Sequence, residues 1–170
     1  MFTNFSEVLL KTEKDFLDCI NFYNSKGLRK SNKQLSEDLS GLLETNIENT
    51  IEGAVAPKVD SEPDIRYNGV PVEIKCTSGE QWRGGAYSKR DGYYLMVTWN
   101  VIEGAVKLLC YGLNLTKKDW QGGLTGNYYG TTFGKKQLME KVEQNLVDEY
   151  RGRMEKYSRG GKNCIKVIKE

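Results

Sequence analysis

The pair Asn68-Gly69 constrains the fold of this chain more than any other feature of the sequence. It lies between two runs of β-branched and aromatic residues. A two-residue type I′ turn requires positive φ at both central positions, which Asn and Gly accept at least cost. A hairpin follows, and with it a register: Tyr67 faces Val70, Arg66 faces Pro71, Ile65 faces Val72 and Asp64 faces Glu73. Alternation gathers Ile65, Tyr67, Val70, Val72 and Ile74 on one face and Asp64, Arg66, Glu73 and Lys75 on the other. The first set belongs to a core. The second brings the Cβ atoms of two acids to about 4.5 to 5.5 Å, where their carboxylates repel unless a cation joins them.

Paired carboxylates at that spacing suit a hard divalent ion such as Mg2+, which takes oxygen ligands and keeps part of its hydration shell. Such an ion activates water and neutralises charge on a phosphodiester, with Lys75 beside it to orient the nucleophile or a phosphate oxygen. The order Pro63-Asp64, then Glu73-Ile74-Lys75 on the next strand, resembles the PD-(D/E)xK motif of type II restriction endonucleases and of some repair and junction nucleases. The resemblance covers the stretch from Ser40 to Asn100 and rests on three residues and a hairpin. It implies that Asp64, Glu73 and the carbonyl of Ile74 hold Mg2+, and that Lys75 positions or deprotonates the attacking water. The same charges also read as a solvated strand face on which Lys75 and Arg66 pair with the two acids.

In several relatives of that family the helix before the hairpin sends a glutamate to the metal. Here a helix is predicted from Ser31, which forms a capping box with Gln34, through Leu35, Leu39, Leu42, Ile47 and Ile51 to a stop at Gly53. Its other face carries Glu44, Glu48 and Glu52 at four-residue spacing, which costs a few tenths of a kcal/mol per pair unless a cation lies nearby. Glu48 flanks the apolar stripe and is the glutamate expected at the site, with Glu44 next. An earlier helix, with Asn4 as N-cap and Phe5, Leu9, Phe16, Ile20 and Tyr23 in phase, ends at Gly27 and supplies core or subunit contacts.

Composition narrows the chemistry. The 170 residues contain no histidine, which excludes Ser-His-Asp triads, Cys-His pairs and histidine-ligated metals. Carboxylates, lysine and tyrosine remain. Cys19, Cys76, Cys110 and Cys164 stand apart without zinc spacing, and with no signal peptide or long apolar run they point to the reducing cytosol. A net charge of +2 decides nothing until its distribution is read. Residues 151–170 hold seven basic side chains against Glu155 and Glu170, a tail suited to phosphate attraction, and Cys164 to Lys169 also reads as a lysine-protected edge strand.

The stretch from Cys76 to Arg90 reads as a loop suited to DNA contact. Thr77, Ser78 and Ser88 offer hydroxyls, Gln81 and Arg83 base-edge groups, Trp82 and Tyr87 stacking surfaces, and Lys89 and Arg90 phosphate ligands. The runs Tyr93 to Ile102 and Ala105 to Leu115, hinged at Glu103-Gly104, extend the hairpin into a mixed sheet. Thr116 and Asp119 cap a short helical turn that sets Trp120 against the sheet. Gly122 to Gly130 has four glycines and Tyr128-Tyr129 but lacks phosphate-loop spacing, so no nucleotide cofactor is expected. From Lys135, the positions Leu138, Val142, Leu146 and Tyr150 predict an amphipathic helix.

The expected architecture is one α/β domain over residues 1–170, a central mixed β-sheet flanked by α-helices as in restriction endonucleases, with a basic C-terminal segment. The expected activity is Mg2+-dependent hydrolysis of double-stranded DNA to 5′-phosphate and 3′-hydroxyl ends by a site-specific, homodimeric enzyme of a restriction-modification system. A structure-specific repair or recombination nuclease with the same metal site is the alternative. A catalytically silent DNA-binding module is another.

Overall fold

In the computed structural model the described backbone covers residues 1–84, 91–122, 124–125, 128–129, 131–151, 154–159 and 162–167, and the described side chains those of 1–84, 91–122 and 131–151. Two helices come first, α1 (Phe5–Ser25) and α2 (Asn32–Thr50). Ser31 caps α2 as expected, its hydroxyl accepting from the Gln34 N–H while the Gln34 side chain accepts from the Ser31 N–H. Asn4 does not cap α1. Its φ of 56° puts it in the left-handed region with no side-chain bond to the helix, and α1 is instead held at its start by Phe2 stacked on Phe5 at 5.2 Å.

The strands β1 (Ala54–Val55), β2 (Ile65–Tyr67), β3 (Val70–Thr77), β5 (Gly92–Ile102), β6 (Ala105–Leu115) and β10 (Val147–Arg151) form a six-stranded sheet in the order β1-β2-β3-β5-β6-β10. The β3/β5 pair is parallel and the other pairs antiparallel, so the sheet is mixed. The hairpin register is the one counted from the turn: Tyr67 with Val70, Arg66 with Pro71, Ile65 with Val72. Asn68 and Gly69 take φ of 49° and 82°, and Glu103 and Gly104 take 53° and 77°, so each hairpin turns through two left-handed residues.

Alternation along the strands gives the sheet two apolar faces. On one, Ile65, Val72, Ile74, Leu95, Val97, Trp99 and Leu108 pack against Phe5, Leu9 and Phe16 of α1 and Leu39, Leu43 and Ile47 of α2. On the other, Tyr94, Met96, Leu109, Tyr111 and Leu113 pack under Trp82, Trp120, Phe133 and Leu138. That second layer consists of β4 (Gln81–Arg83), β9 (Thr132–Gly134), which pairs with it, and the helix α3 (Lys135–Glu143). The protein is therefore α/β, with helices on both faces of a mixed sheet. Short ladders β7 (Leu124–Thr125) with β8 (Tyr128–Tyr129) and β11 (Met154–Arg159) with β12 (Lys162–Val167) complete the described backbone.

Two sequence expectations are corrected here. The stretch from Cys76 is not a loop throughout, since β3 runs on to Thr77 and Gln81–Arg83 is a strand. The C-terminal helix does not reach Tyr150: Asn145 at φ 56° and a bond from Leu146 N–H to the Lys141 carbonyl at 3.0 Å close it, and Val147–Arg151 joins the sheet. There the Tyr150 hydroxyl meets that of Tyr93 at 2.8 Å and accepts from the Phe2 N–H at 3.0 Å. Leu138 and Val142 are helical core, while Leu146, 55% exposed, is not.

Candidate active site

Asp64 stands where the irregular stretch 56–64 enters the sheet. Ladder pairing between β2 and β3 ends at Ile65 and Val72, so Asp64 is not a ladder partner of Glu73. Its carboxylate instead accepts the backbone N–H of Ile74 at 2.7 Å, supplying by side chain the acceptor that the ended ladder no longer provides. The N–H and C=O of a strand residue point to the same side. The Ile74 carbonyl thus opens toward Asp64 as well.

Glu73 and Lys75 flank Ile74 and share the other face of β3. Glu73 is 5% exposed, and the Lys75 ammonium donates to its Oε1 in a short ion pair. Burial raises the proton affinity of Glu73, the Asp64 charge adds to the rise, and Lys75 opposes it. Burial likewise raises the Asp64 carboxyl, against the Ile74 N–H and Lys75, which favour its charged form. The buried Glu73 and the half-buried Asp64 thus share one lysine. Arg66 does not help them, because its guanidinium is held by Glu62, with Nε to Oε2 at 2.9 Å.

The helix glutamate coupled to this pair is Glu44. Burial first, and then the Asp64 charge, push its carboxyl up to about 7, with Glu73 contributing in the same direction. Ser40 Oγ donates to it at 3.4 Å, a weak contact that opposes the rise. Glu48, one turn on, is spent elsewhere: one oxygen accepts from the Ala56 N–H at 3.0 Å and the other lies 3.7 Å from the Lys58 ammonium. It therefore pins the stretch that delivers Asp64. Periodicity could not separate the two glutamates, which lie one turn apart on the same face of α2.

The donor chemistry of Glu44, Asp64, Glu73 and the Ile74 carbonyl fits a hard divalent cation: buried like charges that hold protons too tightly are relieved by one. The set is not closed in advance. Among the described residues no group of three or more acidic or cysteine side chains is gathered in metal-ligating range. Lys75 occupies the place of the counter-ion on Glu73 Oε1. Cys76, the next residue, is no rival nucleophile, because burial holds its thiol well above the ordinary range.

The residues expected at DNA divide into three groups. Thr77 and Ser78 are half-buried, and Thr77 Oγ1 accepts from the Gly79 N–H at 3.1 Å. Gln81 and Arg83 are exposed, whereas Trp82 between them is 0% exposed, its indole N–H donating to the Val97 carbonyl at 2.9 Å. The expected stacking surface at Trp82 is therefore core, since strand alternation turns it onto the sheet. The polar-apolar-polar order of Gln81-Trp82-Arg83 carried that signal. Tyr87, Ser88, Lys89 and Arg90 lie outside the described residues, as do the side chains of the basic tail. No protein-family model matches the chain, and no curated protein is significantly similar to it. None of the helices among the described residues is long and apolar enough to cross a membrane.

Proposed function

We propose that this chain is a Mg2+-dependent endodeoxyribonuclease with a restriction-endonuclease-like fold, and a type II site-specific enzyme in particular. One observation carries the reading: the Asp64 carboxylate is bonded to the backbone of Ile74, the residue between Glu73 and Lys75, so that the elements of the motif meet in a partly buried cluster. A solvated charge ladder would leave these side chains in water, yet Glu73 and Lys75 have side-chain exposures of 6% and 16%. Asp64, Glu73 and the Ile74 carbonyl would hold the metal, with Glu44 taking the helix position that Glu48 does not fill.

A divalent ion bound there supplies charge neutralisation at the scissile phosphate and a lower pKa for the attacking water. The chain's own residues supply the rest. Lys75, released from Glu73, turns its ammonium to the phosphate oxygens or to the nucleophile. Glu44, whose carboxyl is pushed up to about 7 in the metal-free fold, would give up that proton on joining Asp64 and Glu73 around the ion. Hydrolysis of this kind leaves 5′-phosphate and 3′-hydroxyl ends. Cutting both strands of a symmetric site calls for a two-fold homodimer, which light scattering on DNA tests.

The deciding experiment is incubation of the purified protein with supercoiled plasmid and Mg2+, followed by sequencing of the ends. Discrete fragments with one end sequence support a site-specific enzyme. Cuts confined to junctions or flaps in a substrate panel support a structure-specific nuclease instead, and absence of nicking in Mg2+ or Mn2+ leaves only a DNA-binding module.

A further inference from the structure

The two-stranded ribbon of β4 and β9 has one side packed into the core and the other carrying exposed side chains. Inward, Trp82 and Phe133 are 0% exposed, their rings 6.2 Å apart, with Trp120 5.9 Å from Phe133. Both ends are tied: Gly84 N–H donates to the Thr131 carbonyl at 2.8 Å, and Lys135 N–H to the Glu80 carbonyl at 3.1 Å. Outward, alternation projects Gln81 and Arg83 from the same face, both exposed. Among the described residues neither side chain makes a hydrogen bond or an ion pair. Across the ribbon stand Thr132 opposite Arg83 and Gly134 opposite Gln81, residues too small to cover them.

The ribbon is also seated close to the candidate site. Trp82 bonds to Val97, whose parallel partner is Cys76, the neighbour of Lys75. Whatever the outer face of the ribbon grips is thereby held at a fixed offset from Lys75. A two-stranded ribbon fits the major groove of duplex DNA, about 12 Å wide, where the Arg fork matches guanine O6 and N7 and the Gln amide matches adenine N6 and N7. Side chains at i and i+2 stand about 6.6 Å apart along a strand, close to two base-pair steps.

We infer that the β4/β9 ribbon is a base-reading element that enters the DNA major groove, with Arg83 taking a guanine and Gln81 an adenine within about two steps of it. The inference rests on the nuclease reading only for the identity of duplex DNA as partner. It does not require cleavage. Shape alone does not need an Arg fork here, since any cation serves a phosphate, whereas paired Gln and Arg on a rigid, slim support suit base edges.

The test is selection of bound duplexes from a randomised pool by the full chain, with Ca2+ in place of Mg2+, for wild type, Arg83→Ala, Arg83→Lys and Gln81→Ala. Wild type is expected to enrich a short motif. Arg83→Ala should lose preference at one guanine by about 5- to 150-fold while keeping the rest of the motif, with Arg83→Lys retaining part of that preference, and Gln81→Ala should lose it at one adenine. Replacing that guanine by 7-deazaguanine, which lacks N7, should weaken wild type and leave Arg83→Ala unchanged. This arm reads the contact from the DNA side and is independent of any folding defect in a variant. Failure of wild type to enrich a motif, or an unchanged motif in Arg83→Ala, overturns the inference. An enriched motif that shifts as stated, with no cutting in Mg2+, supports the ribbon and removes the nuclease reading.

Discussion

The Asp64 carboxylate accepts the backbone N–H of Ile74 at 2.7 Å, and this bond fixes one acid against the strand that carries Glu73 and Lys75. It also makes Asp64 a two-part residue. One oxygen serves the backbone, while the charge faces Glu44 and Glu73, whose proton affinities it raises. The two parts separate by substitution, because asparagine keeps an acceptor for Ile74 and drops the charge.

Mg2+ should stabilise the wild-type fold. With a dissociation constant of about 1 mM, roughly 10 mM Mg2+ adds about 1.4 kcal/mol, since the unfolded chain cannot hold the acids together. That is about 3 to 6 °C in melting temperature for a domain of this size. Asp64→Asn should melt at or above wild type without metal and show no Mg2+ increment. A strong loss of metal-free stability in Asp64→Asn, with no shift by Mg2+ in either protein, would make the acids a structural ladder.

Lys75→Ala should abolish cleavage and leave metal-independent DNA affinity within a few-fold. It also strips a buried carboxylate of its partner, which costs about 3 kcal/mol or more when a buried pair is broken. Glu73→Gln combined with Lys75→Ala removes both charges and should recover part of that loss, so the two changes are non-additive in a double-mutant cycle. Additive losses in denaturant midpoints would show that the pair is not the stabilising contact.

Trp82→Ala removes a fully buried indole between Tyr94, Met96 and Phe133, and should cost about 3 to 5 kcal/mol. Arg83→Ala, one residue on and exposed, should stay within about 0.5 kcal/mol of wild type. Urea unfolding of the two variants separates core from surface within one strand. Similar losses in both would mean that Arg83 has an intramolecular role.

What the sequence revealed and what it hid follow from the range of the interactions. The Asn68-Gly69 turn is local, and its register extends in the fold as counted. The Ser31 cap is local too. By contrast, Glu44 and Glu48 have the same phase on α2, and only the path of residues 56–64 around the helix end gives one to Asp64 and the other to Ala56. The pairing of β4 with β9 joins residues some fifty positions apart, and three-residue strands carry too little alternation to announce it. Leu138, Val142, Leu146 and Tyr150 kept helical spacing across a helix and a strand, so periodicity overran a stop that Asn145 makes by its backbone conformation.

Glu44 gives the metal-free protein a pH dependence of definite sign. Its carboxyl is pushed from an unfolded value of 4.5 up to about 7 in the fold, so the folded state binds its proton more tightly. The associated stability is fully present below pH 4.5 and is lost as the pH rises through about 7. Asp64 and Glu73 shift in the same direction and add to the slope. Metal-free wild type should therefore melt lower at pH 8 than at pH 5.5. Glu44→Gln cannot ionise, and should reduce the slope and raise stability at pH 8 by about 1 to 2 kcal/mol, a figure reduced from the full shift because the site is partly solvated. Saturating Mg2+ should invert the wild-type slope, since the ion competes with protons for the same oxygens and binds more tightly as the pH rises. Calorimetry at the two pH values, with and without Mg2+, reads all three effects. A wild-type profile that is flat without metal, or a Glu44→Gln profile as steep as wild type, removes Glu44 from the cluster.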